Sequence, residues 1–101
     1  MTRIDFIKKY KYYIDKPENI GGYKLKPLAW EFLDGFFSRC VKKQVDVIIY
    51  YIKFKNDRFE IHTSLPYNIE DELKEGVKKI MKPAKIKYTI WEKVKNFFKI
   101  L

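Results

Sequence analysis

Few residues in this chain are of a type that could do covalent or metal chemistry. Cys40 is the single cysteine and His62 the single histidine among 101 residues. These counts exclude an internal disulfide, a Cys/His zinc site and a two-histidine metal site. Cys40 falls on the apolar stripe of a predicted helix and His62 on the outward face of a predicted strand, so each has an ordinary structural explanation. The sequence therefore predicts a protein without a cofactor that is not an enzyme.

Carboxylates offer one remaining route to catalysis, because a metal-dependent nuclease needs several of them close together. The candidates are Asp46, Asp57 and Glu60. Asp57 is explained by a predicted hairpin turn, and Glu60 by an exposed strand face. The pair Gly21-Gly22 lacks the spacing of a phosphate-binding loop. Binding therefore ranks above metal-dependent catalysis among the function classes.

The elements that position these residues follow from hydrophobic periodicity. The predicted helices cover residues 3–14, 27–43, 69–82 and 91–101, and the predicted strands cover residues 23–26, 45–55, 58–65 and 85–90. Asn68 is the predicted cap of the third helix, and Gly35 inside the second is a candidate for a close contact. The order predicts an α+β, ferredoxin-like (βαββαβ) single domain over residues 1–101. It would have a four-stranded antiparallel sheet and additional N- and C-terminal helices.

The second predicted strand is apolar on both faces. Strict alternation places Ile49 and Tyr51 on one face and Tyr50 and Ile52 on the other, and the run from Val47 to Ile52 has no charge. In a ferredoxin-like sheet this strand lies at an edge, and a long uncharged edge pairs readily with another chain. The sequence therefore predicts a homodimer whose interface includes Val47, Ile49, Tyr50 and Tyr51.

The chain is strongly basic, with a net charge of +9. The excess lies at the two ends: residues 1–27 hold seven basic and three acidic side chains, and residues 84–101 hold five and one. A Lys-rich and Ile-rich composition is also what AT-rich coding produces, so the total alone does not establish a function. Clustered positive charge attracts phosphate backbones, and a tyrosine among lysines is typical of single-strand binding. The predicted contacts to nucleic acid, without sequence specificity, are Lys8, Lys9, Lys11, Tyr12, Lys93, Lys95 and Lys99.

A second function class stays open beside nucleic-acid binding. The chain could be a small protein-binding module, such as an inhibitor or adaptor of a larger nucleic-acid-handling complex. Salt distinguishes the two classes, because binding to phosphates weakens steeply as salt rises. The longest strongly apolar run, at 47–52, is too short to span a membrane, and a lone cysteine suits a reducing compartment. We therefore expect a cytoplasmic protein with no membrane span.

Overall fold

The computed structural model describes residues 1–22 and 25–81. In chain order the elements are helix α1 (Arg3–Lys9), a 3-10 turn (Pro17–Asn19), strand β1 (Ile20–Gly21), helix α2 (Pro27–Lys42), strand β2 (Ile49–Lys55), strand β3 (Arg58–Thr63) and helix α3 (Tyr67–Ile80). The strand predicted at 85–90 and the helix predicted at 91–101 lie outside the described residues. So do two residues of the strand predicted at 23–26.

The predicted ferredoxin-like fold is wrong. Over residues 1–22 and 25–81 the sheet has three strands in the order β1-β2-β3, and it is mixed rather than antiparallel. β1 pairs in parallel with β2, with Ile20 opposite Ile52, whereas β3 pairs antiparallel with β2. A split β-α-β arrangement needs another strand between its two parallel strands. Here β1 is hydrogen-bonded directly to β2, and it is only two residues long.

Helix α1 begins where the sequence predicts and ends early. Thr2 and Asp5 form a reciprocal capping box, in which the Asp5 backbone N–H donates to Thr2 Oγ1 over 3.2 Å. The helix ends at Lys9 instead of residue 14, and a turn follows in which the Tyr13 N–H donates to the Tyr10 carbonyl over 2.7 Å. Tyr10 and Ile14 are still buried beyond the helix. Their apolar spacing therefore reports burial and not the continuation of the helix.

The two longer helices match their predictions closely. α2 starts with Pro27 in its first turn, where the missing N–H costs nothing. α3 starts two residues earlier than an Asn68 cap requires, because Pro66 occupies the cap position without a side-chain hydrogen bond. The close contact between these helices is at Gly76 and not at Gly35. A β-carbon added at Gly76 would overlap the ring of Phe32, whereas one added at Gly35 would meet nothing within 4 Å.

The hairpin of β2 and β3 is confirmed, with an irregularity that the sequence did not predict. Asn56 and Asp57 have φ angles of 52° and 62°, as a two-residue hairpin turn of the right twist requires. Ile49 pairs with Thr63 and Tyr51 with His62, so β2 has one more residue than β3 over this stretch. That extra residue, Tyr50, forms a β-bulge.

One face of the sheet joins the helices in a common hydrophobic core. Its fully buried large side chains come from each of the three described helices and each of the three described strands: Phe6, Ile20, Leu33, Phe37, Ile49, Ile52, Ile61, Leu73 and Val77. Glu70 of α3 is also buried, and its carboxylate accepts the backbone N–H of Thr63 over 2.6 Å. Among residues 1–22 and 25–81, no helix is long and apolar enough to cross a membrane.

Candidate nucleic-acid interface

The opposite face of the β2–β3 hairpin carries polar and aromatic side chains. Three cross-strand pairs lie on it in succession, and we call these six residues the hairpin face: Tyr51 with His62, Lys53 with Glu60, and Lys55 with Arg58. All six are exposed or half-buried, while the residues between them point into the core. Alternate residues of a strand are about 6.8 Å apart. The three pairs therefore form a strip about 14 Å long.

The β-bulge determines which side chains reach this face. Ile49 and Ile52 are three residues apart and both buried, at 1% and 0% exposure. Strict alternation would turn one of them outward, because successive side chains point to opposite faces. Tyr51, Lys53 and Lys55 alternate regularly on the outward face, and the extra residue at Tyr50 shifts the phase before them, so Ile49 turns into the core. The prediction that Ile49 and Tyr51 share a face is wrong for this reason.

The end of the hairpin face near the turn is positively charged. Lys53, Lys55 and Arg58 line an open groove of about 480 Å³ together with Asn56 and Glu60. Lys55 lies directly opposite Arg58, and like charges in such a pair destabilise a hairpin. Within the part of the chain that the structure describes, neither side chain has a carboxylate within 4 Å. The fold thus holds two cations side by side without neutralising them.

The other end of the hairpin face is aromatic. The rings of Tyr51 and His62 are 6.0 Å apart between centroids and tilted by 42°. His62 is exposed, as the sequence predicts, and Tyr51 is half-buried. For the residues described here, each of these two rings has only the other as an aromatic neighbour. A pair of tilted aromatic rings therefore adjoins the basic groove.

The structure separates the basic residues predicted on α1. Lys8 and Lys11 are exposed, and the Lys11 ammonium lies 4.9 Å from the centroid of the Tyr12 ring, which is 83% exposed. Lys9 instead turns to α2, where its Nζ lies 2.7 Å from the Asp34 carboxylate. Lys9 is exposed but paired with an acid, which distinguishes it from the other three residues predicted here. Lys93, Lys95 and Lys99 lie outside the described residues.

The pairing of Lys9 belongs to a structural network that links α1 to α2. The Tyr10 hydroxyl donates to the Asp34 carboxylate and lies 2.8 Å from Ser38 Oγ. Burial and the contact with Asp34 raise the pKa of Tyr10 far above its usual range. Burial acts to raise the pKa of Asp34 as well, but the hydrogen bonds from Lys9 and Tyr10 outweigh it, and that pKa is lowered. The network holds a neutral phenol and a charged carboxylate together.

The residues predicted for a dimer interface do not form one surface. Val47 and Ile49 are 2% and 1% exposed, because they pack in the core of the chain itself. Tyr50 is 44% exposed at the bulge, and Tyr51 lies on the hairpin face. β2 lies between β1 and β3, so the premise that it is an edge strand is wrong. The homodimer itself stays a prediction without that premise.

The other residues with chemical potential are dispersed. Cys40 is half-buried at a groove of about 450 Å³ between α2 and the start of α3, beside Phe36 and Ile69. Asp57 lies in the hairpin turn and Glu60 on the hairpin face. Across residues 1–22 and 25–81, no three His, Cys, Asp or Glu side chains gather where they could hold a metal ion. The absence of a cofactor stays a prediction.

Sequence reasoning missed the hairpin face as a site because it weighed the apolar run 47–52 and the net charge of the chain ends, and not the side chains that flank the turn. The signal is present in the sequence once the turn at Asn56-Asp57 is accepted. Lys53 and Lys55 alternate before the turn, and Arg58 and Glu60 alternate after it. Counting outward from the turn therefore places all four side chains on one face.

Comparison of the chain with family models, with curated proteins and with solved structures found no match.

Proposed function

We propose that this protein is a small binding domain that contacts the backbone of nucleic acid through its hairpin face. The observation that supports this most directly is the unneutralised pair of Lys55 and Arg58, beside Lys53 in one open groove. Phosphate oxygens are the acceptors that such side chains bind best, and their binding would remove the repulsion between the two cations. Lys8, Lys11 and Tyr12 are a second, smaller candidate contact.

The expected salt dependence of binding follows from the number of cations in the groove. Binding to a single strand weakens with a logarithmic salt slope of about 0.7 for each phosphate that is neutralised. Three contacts give a slope of about 2, so affinity falls about twentyfold between roughly 50 and 200 mM salt. Removing two contacts leaves a slope of about 0.7, and the fall shrinks to about threefold.

Fluorescence anisotropy with labelled single-stranded and duplex DNA and RNA tests the proposal. The site variant is Lys55→Gln with Arg58→Gln, and the matched control is Lys42→Gln with Lys79→Gln. Both double variants lower the net charge from +9 to +7, and all four positions are exposed. We expect the site variant to lose affinity and salt dependence while the control keeps both.

Three results would contradict this assignment. Wild type that binds none of the four probes excludes the function. Equal losses in the site variant and the control show attraction by the total charge and not by the hairpin face. A loss confined to Lys8→Gln with Lys11→Gln moves the site to α1. A protein partner retained at moderate salt, with no oligonucleotide bound, supports the protein-binding module in its place.

A further inference from the structure

We infer that the hairpin face takes single-stranded nucleic acid, with an unstacked base against Tyr51 and His62 and the adjoining phosphates over Lys53, Lys55 and Arg58. This inference rests on the proposed function and specifies its substrate. Its observation is independent of the charges: two neighbouring rings lie on the same face, one or two pairs away from the cations.

The bulge at Tyr50 is the first step of the argument. Bulges redirect side chains, and this one turns Ile49 into the core while Tyr51 stays on the outward face beside the charged residues. The tyrosine meets the one histidine of the chain, whose ring is exposed. Aromatic side chains beside a basic groove are the combination by which proteins hold single strands, because every base has a flat π face.

The preference for single strands follows from which surfaces a base exposes. In a duplex each base is stacked between its neighbours, so its faces cannot reach a protein ring. In a single strand a base can leave the stack and lie on an aromatic side chain. Charge alone would bind both forms, and the rings select one of them.

The test uses four probes of equal length: single-stranded DNA, single-stranded RNA, duplex DNA, and a single strand with the same phosphates but abasic sugars. The variants are Tyr51→Leu and His62→Leu, with Tyr51→Phe and His62→Phe as controls that keep a ring. Circular dichroism and thermal unfolding show whether each variant is folded. His62 is exposed, so its variants remain informative even if Tyr51→Leu does not fold.

We expect wild type to bind the base-containing single strands about tenfold more tightly than the abasic strand at one salt concentration. Each leucine variant should lose most of that difference, and each phenylalanine variant should keep it. The salt slope should not change in any of them, because no cation is removed. The DNA and RNA probes then show which sugar the face accepts.

The failure of the stacking inference and the failure of the proposed function give different results. Equal affinity for the base-containing, abasic and duplex probes, or leucine variants that bind as wild type does, overturns the stacking inference and leaves the charge-based function standing. Failure of wild type to bind any probe overturns both.

Discussion

The packing of α2 against α3 makes a sharp prediction about two glycines. Gly35 lies exposed in α2, and a β-carbon there would meet nothing within 4 Å. Gly76 lies half-buried in α3, and a β-carbon there would come 2.7 Å from Phe32 Cε1 and 3.0 Å from its Cε2. Contacts below 3 Å force the ring or the helix to move. The same substitution should therefore stabilise the protein at Gly35 and not at Gly76.

The magnitudes follow from helix propensity and overpacking. Replacing glycine by alanine inside a helix contributes about 1 kcal/mol. Gly35→Ala should gain this stabilisation in full, which raises the melting temperature by about 4–8 °C for a chain of this size. At Gly76 the same gain is opposed by an overpacking cost of about 1–3 kcal/mol. Gly76→Ala should therefore be neutral to about 2 kcal/mol less stable than wild type.

Urea denaturation followed by circular dichroism measures both effects, and a double-mutant cycle assigns the second to its cause. In a Phe32→Leu background the ring is absent, so Gly76→Ala should become stabilising, as Gly35→Ala is. If Gly76→Ala stabilises wild type as much as Gly35→Ala does, the close approach of the two helices is refuted. If the cost persists without the Phe32 ring, the contact is not its cause.

Three further predictions concern titration, charge and the bulge. Since the pKa of Tyr10 is raised on folding, wild type should lose stability as pH rises above about 10, and Tyr10→Phe should lose less in urea titrations across that range. Glu60→Gln should tighten oligonucleotide binding in anisotropy, because it removes the one carboxylate from a groove with three cations; weaker binding would contradict the proposed phosphate contacts. Deleting Tyr50 should leave a regular β2 that still pairs Tyr51 with His62, whereas deleting Lys53 would turn Phe54 outward and Lys55 inward. Thermal unfolding should show that the variant without Tyr50 is folded and that the variant without Lys53 is not. The opposite result, with only the Lys53 deletion folded, would refute the assigned register.

The parts of the fold that the sequence predicted are those with several turns or alternations of a regular period. α2 and α3 each repeat their apolar positions over at least three turns, and the hairpin is marked by Asn56-Asp57. β1 has two residues and therefore no period to detect. Its parallel pairing with β2 is a tertiary choice, and the ferredoxin-like prediction was wrong because it placed the first strand at residues 23–26 in an antiparallel sheet.

The end of α1 shows a second limit. The apolar spacing continues through Ile14, yet the helix ends at Lys9. The Tyr10 hydroxyl is tied to Asp34, twenty-four residues further along the chain, and Lys9 bonds to the same carboxylate. Local propensity contains no information about that partner. The same carboxylate also pairs with Lys9, so one tertiary interaction joins the end of the helix to a residue of the predicted basic surface.

The β-bulge connects these questions of fold to the candidate site. Burying an isoleucine stabilises a chain by about 1.5–3 kcal/mol, whereas one disturbed ladder hydrogen bond costs about 0.5–1.5 kcal/mol. A regular β2 could bury Ile49 or Ile52 but not both, so the bulge that buries both is favoured by this difference. Tyr51 then faces outward as a consequence of the core's demand on its neighbours. The aromatic end of the hairpin face is therefore fixed by the same packing that holds the sheet together, and a change at Ile49 or Ile52 should alter binding without touching a ligand.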